Sequence, residues 1–112
     1  MKNVKRHIPI FQYALSLKGK ELTNFFDGLG KDALKAICEI TINILNGILP
    51  LSTEDKENLR PHKNQLVYLS RNKPHNFAEK RKIIVQKGGG IVTTLLKIAI
   101  PLILRLLKGP SK

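Results

Sequence analysis

The chain has 112 residues and a formal net charge of +12, too short for more than one domain and too basic for a neutral surface. Its single cysteine, Cys38, excludes an internal disulfide, and His7, His62 and His75 lie scattered without cysteine partners, which argues against a metal site. The charge is uneven: residues 1–59 carry 8 basic and 7 acidic side chains, whereas residues 60–112 carry 12 basic side chains and only Glu79. The second half is the one expected to meet a polyanion, either nucleic acid or an anionic lipid surface.

Taken in chain order, nearly every segment favours helix, and the expected fold is all-α. The start, MKNVKRHIPIFQYALSLKGK, has the basic opening and apolar run of a signal peptide. Gln12 and Tyr13 interrupt that run, Lys18 and Lys20 follow it, and no small-x-small cleavage site appears. Residues 1–30 are therefore read as a solvated arm leading into a short helix that the glycines of FFDGLGKD end. Asp32 can cap the next helix, ALKAICEITINILN. Ala33, Ile37, Ile40, Ile44 and Ile48 recur there at spacings of three and four, one stripe on a helix, widened by Ile42 and Leu45. Gly47 and Pro50 end it. Ser52 with Asp55 has the form of a capping box for LSTEDKENL. Pro61 suits the first turn of PHKNQLVYLS, which contributes Leu66, Val67 and Leu69. Pro74 and Asn76 mark the start of NFAEKRKIIVQK, with Phe77, Ile83 and Ile84 as its apolar points. Residues 31–87 thus form a small basic bundle of short helices, followed by a Gly88–Gly90 hinge and a tail helix over 91–112.

The tail falls short of a membrane span. From Ile91 to Leu107 there are 17 residues, two of them cationic, against the roughly 20 apolar residues that a span requires. On a helical wheel Lys97, Pro101, Arg105, Thr93, Thr94 and Lys108 share about a third of the circle. The apolar remainder includes Ile91, Val92, Leu95, Leu96, Ile98, Ala99, Ile100, Leu102, Ile103, Leu106 and Leu107. Such a helix suits a membrane interface, kinked near Pro101. It equally suits the last core helix of the bundle with its cations facing water, and the sequence does not separate these two readings.

The stretch ILNGILPLSTEDKENLRPHKNQLVYLSRNKPHNFAEKRKIIVQKGGGIV resembles small proteins of Polinton (Maverick) elements and adintoviruses. The likeness lies in an apolar-Asn-x-x-Gly type of helix end, a following Pro-Leu-Thr/Ser, spaced His-Lys and leucines, a Lys-Arg-Lys triplet, and Gln-Lys/Arg-Gly-Gly before an apolar tail. It covers about half the chain, and the first 30 residues have no part in it. It implies a virion-associated minor protein, similar in role to the basic core protein or the internal membrane-lytic protein of adenoviruses. It further implies a viral maturation protease as a partner. Gln86, Lys87 and Gly88-Gly89 before Gly90 resemble one cleavage form, with Gln86 where an aliphatic residue is usual. Phe26, Asp27, Gly28 and Leu29 before Gly30 resemble the other, with Phe26 in that position. Cleavage at the first would release GIVTTLLKIAIPLILRLLKGPSK, which is similar in design to melittin.

Three functions compete. In the first, Ile91–Leu107 disrupts an anionic membrane and the basic stretch docks on lipid. In the second, Arg60, Lys63, Arg71, Lys73, Lys80, Arg81, Lys82 and Lys87 neutralise phosphates of double-stranded DNA for packaging. In the third, the tail docks in a groove of a capsid protein as a cement. The expected location is the virion, then a host membrane or nucleus on entry or assembly. No enzyme and no cofactor is expected: Asp27, Asp32, Glu39, Glu54, Asp55, Glu57 and Glu79 form no acid pair beside a nucleophile. The glycine run also lacks the Lys-Ser/Thr of a phosphate loop.

Overall fold

In the computed structural model of the chain, described for residues 2–71 and 77–107 (backbone alone at 77 and 85–90), every regular element is helical. The elements are α1 (Lys2–Ala14), α2 (Gly19–Asp27), α3 (Lys31–Leu45), α4 (Thr53–Leu59), α5 (Lys63–Ser70) and α6 (Phe77–Leu107), with a short 3₁₀ turn at Arg60–His62. The all-α expectation stands. The radius of gyration is 13.3 Å, close to the value of about 13 Å for a packed domain of this length.

The first thirteen described residues form a core helix instead of an arm. Val4, His7, Ile8, Phe11 and Ala14 recur at spacings of three and four and are all buried, so packing outweighs the polar interruptions that suggested an arm. His7 stays in that stripe because its Nδ1–H donates to the Asn3 carbonyl at 2.7 Å, which satisfies the ring nitrogen inside the helix. The Asn3 amide in turn donates to the Asp32 carbonyl at 3.0 Å, tying the start of α1 to the start of α3.

Helix α3 buries Ala33, Leu34, Ala36, Ile37, Cys38, Ile40, Thr41, Asn43 and Ile44. Two expectations about it are corrected. Gly30, not Asp32, is the N-cap, in extended backbone, and no side chain caps the helix, while Asp32 sits in the first turn. Ile48 lies beyond the helix end and is 55% exposed. The reason is Gly47, whose φ of +76° turns the chain through the left-handed region. The Ile48 and Leu49 amides then both donate to the Asn43 carbonyl, and Leu49 takes the buried place. Ser52 caps α4 as expected, its Oγ accepting from the Asp55 amide at 3.1 Å.

Helix α6 is the long element. Its 31 residues rise about 45 Å, which matches the 42 Å long axis of the molecule. The helical backbone runs through Gly88–Gly90, where the sequence led us to expect a hinge. Each glycine in a helix interior is about 1 kcal/mol less favourable than alanine, a cost that packing on either side can outweigh. α6 packs most extensively on α2, next on α3, and more lightly on α1, α4 and α5. The expected helix start at Pro74 and Asn76 lies outside the described residues, as do Lys73, Lys108 and His75.

Candidate functional site

The part of α6 after the glycine run is where the membrane reading and the core reading meet. Ile91, Val92, Leu95, Leu96, Ala99, Ile100 and Ile103 are buried among the helices that precede them. Ile98, Leu102 and Leu104 pack partly against the same core. Lys97, Pro101 and Arg105 are exposed, and so are Leu106 and Leu107 at 47% and 41%. Of the predicted polar arc Lys97, Pro101 and Arg105 therefore face water while Thr93 and Thr94 are half-buried, and most of the predicted apolar arc is covered. Thr93 is half-buried, and its Oγ1 is buried without a hydrogen-bond partner. Among the described residues no helix is long and apolar enough to cross a membrane.

The basic residues predicted to act together divide into two groups. Arg60, Lys63, Arg71 and Lys82 are exposed. Arg60 is held by Glu57 at 2.9 Å across one helical turn, a solvent-exposed pair worth little. Lys80 and Arg81 instead turn inward. Lys80 is only 4% exposed, and its ammonium donates to the Arg71 carbonyl at the end of α5. Arg81 Nη1 donates to the Asp27 carbonyl at the end of α2, at 2.9 Å. Glu79, the residue before them, accepts from the Tyr68 hydroxyl at 2.5 Å. That bond raises the Tyr68 pKa above its ordinary value, because the carboxylate holds the phenolic proton. The side chains of Lys87 and Gln86 lie outside the described residues.

The structure also supplies cations that sequence reasoning missed. Lys2, Lys5 and Arg6 share the exposed side of α1, and the first turn of α1 carries no acidic residue. Their signal was present: Val4, Ile8 and Phe11 already set a helical period that leaves residues 2, 5 and 6 facing outward. Cations at a helix start oppose its dipole, so their placement is not explained by helix stability.

Both cleavage-like stretches are folded in. Phe26 and Leu29 are buried, and Gly28 closes α2 by donating to the Asn24 and Phe25 carbonyls. The stretch 86–90 lies within α6. A protease that reads extended backbone does not meet 86–90 without local unfolding, and at the other stretch Gly30 alone is both extended and exposed. Cys38 is a buried free thiol whose pKa is raised by burial and pulled back by the nearby Lys80 ammonium. Among the described residues, no group of three or more His, Cys, Asp or Glu side chains gathers to hold a metal. A shallow cleft of about 390 Å³ lined by Tyr13, Leu17, Glu21, Asn24 and Phe25 has one carboxylate and no partner base. No family model, curated protein or solved structure matches the chain.

Proposed function

We propose that this is a virion-associated minor protein whose C-terminal helix is a stored membrane-active element. In the folded state most of the apolar arc, from Ile91 to Ile103, is packed against the preceding helices and unavailable to lipid, so the activity requires α6 to leave the globule. The observation that carries the reading is the division of this helix: Lys97, Pro101 and Arg105 exposed on one side, seven apolar residues buried on the other. A cationic helix so divided partitions into an anionic bilayer interface by apolar burial plus electrostatic attraction. Gly88–Gly90 supports the reading further, since three glycines weaken α6 between its basic and apolar parts. The resemblance to virion proteins of Polinton elements and adintoviruses supplies the setting and a protease that could sever the helix there.

The test is dye release from anionic vesicles by a synthetic Gly90–Lys112 peptide, compared with the full chain. Leakage by the peptide at micromolar concentration, and far less by the folded chain, is expected. An inert peptide refutes the membrane reading.

Surface charge favours a second reading, packaging of double-stranded nucleic acid. Lys2, Lys5, Arg6, Lys63, Arg71 and Lys82 are exposed cations on three of the helices and their flanks, suited to phosphates and not to base edges. Binding to DNA should weaken steeply with salt and show no sequence preference. No binding at low salt removes this reading.

A further inference from the structure

Three consecutive side chains of α6 fasten it to the helices before it, two of them to α5 and one to the end of α2. Glu79 accepts from Tyr68 of α5, Lys80 donates to the Arg71 carbonyl at the end of α5, and Arg81 donates to the Asp27 carbonyl at the end of α2. All three attachments lie on the N-terminal side of Gly88–Gly90, whereas the apolar packing of α6 is strongest beyond it. The three attachments differ in depth. Lys80 is buried, a cation at the C-terminal end of α5 where the helix dipole favours it. Arg81 is only half-buried, and Lys82 beside it is exposed.

We infer that Arg81, with Lys82, is the phosphate-responsive latch of this protein: an anionic lipid headgroup withdraws Arg81 from the Asp27 carbonyl and so loosens the docking of α6 on α2. The chemistry favours the exchange. Arg81 spends one guanidinium N–H on a neutral carbonyl, whereas a phosphate offers a charged, bidentate acceptor matched to the guanidinium fork. Lys82 adds a second cation at the surface without giving up an internal bond to Asp27 or Arg71. A bilayer is the occupant favoured over free phosphate, because many headgroups lie in one plane and the loosened helix has an apolar arc to bury there. The inference rests on the membrane reading given above.

Cys38 provides the readout. It is the sole cysteine, it is buried on α3, and the Lys80 ammonium of α6 lies near it, so its exposure reports the separation of α6 from α3. The experiment follows the rate at which N-ethylmaleimide labels Cys38 in the full chain. It is run alone, with phosphatidylcholine vesicles, with phosphatidylglycerol vesicles, and with inorganic phosphate. Slow labelling alone and with phosphatidylcholine, and acceleration by phosphatidylglycerol, are expected. Arg81→Gln should label about tenfold faster than wild type without lipid, the loss of one charge-assisted hydrogen bond, and respond less to phosphatidylglycerol. Lys82→Gln should keep the wild-type basal rate and lose part of the lipid response. Far-UV circular dichroism of each variant separates unlatching, which keeps helix, from unfolding, which does not. Acceleration by inorganic phosphate equal to that by phosphatidylglycerol overturns the bilayer as occupant. Equal rates with and without phosphatidylglycerol, or an Arg81→Gln rate equal to wild type, overturns the latch. The peptide leakage assay is independent of Arg81, so a failed latch and a failed membrane reading give different results.

Discussion

Leu96→Ala decides whether residues beyond the glycine run are part of the core or an appendage to it. Leu96 is fully buried, and Val92, Leu95 and Ile100 on the same helix are also 3% exposed or less. Truncation there opens a cavity away from solvent, so the surroundings relax only in part. The loss is transfer free energy plus cavity, about 2–5 kcal/mol, and the enclosed site places it near 3–4 kcal/mol. For a chain of this size each kcal/mol moves the melting temperature by about 4–6 °C, so a fall of about 12–24 °C is expected. Leu107→Ala, at an exposed position of the same helix, should change stability by about 0.5 kcal/mol or less. The assay is thermal and urea unfolding followed by far-UV circular dichroism, which reads the whole helical fold. A Leu96→Ala midpoint equal to that of Leu107→Ala refutes the packing described for α6.

Other outcomes follow from single features. Asn43 is buried with its Nδ2 unpartnered, so Asn43→Leu, of similar volume, should raise stability by about 1 kcal/mol in urea unfolding; a loss would reveal a polar partner. Gly30 caps α3 in extended backbone with open space around the missing Cβ, so Gly30→Asp should raise the melting temperature by supplying a side-chain acceptor. Gly47→Ala should lower stability by about 1 kcal/mol, because φ there is +76°. The Tyr68 pKa is raised on folding, so its bond to Glu79 stabilises the fold fully below the ordinary phenol value of 10.0 and is lost as pH rises through the higher folded value. Tyr68→Phe should therefore flatten the alkaline limb of a stability–pH profile, and an unchanged limb would refute that assignment.

Much of the fold was legible, for identifiable reasons. The Ser52 cap follows from spacing alone, and so does the stripe of Ala33, Ile37, Ile40 and Ile44, all buried, whereas Leu45, read as widening that stripe, is 43% exposed. Helix α1 was misread because Gln12 and Tyr13 interrupt its apolar run, and because His7 is polar by type although it is satisfied within its own helix turn. Ile48 was misplaced because periodicity cannot say on which side of a left-handed glycine a helix stops. The tail was legible as amphipathic, yet amphipathicity alone does not say what covers the apolar side. That needed α2 and α3 to be placed against it, which is tertiary information. The inward turn of Lys80 and Arg81 was not legible either. In sequence they are two members of a Lys-Arg-Lys triplet, and only the ends of α2 and α5 distinguish them from Lys82.

The order of the helices along the chain has a consequence for how the protein is made. The helix that fills the centre of the core, α6, follows every helix it packs against. During vectorial synthesis residues 2–71 emerge with Phe11, Phe26, Leu34, Ile37 and Ile40 lacking their last covering partner. Local helices can form at once, but docking must wait for Leu95, Leu96 and Ile103 to leave the ribosome. Until then the nascent chain exposes a sticky surface, a period in which a chaperone or an assembling particle would have the best access to it.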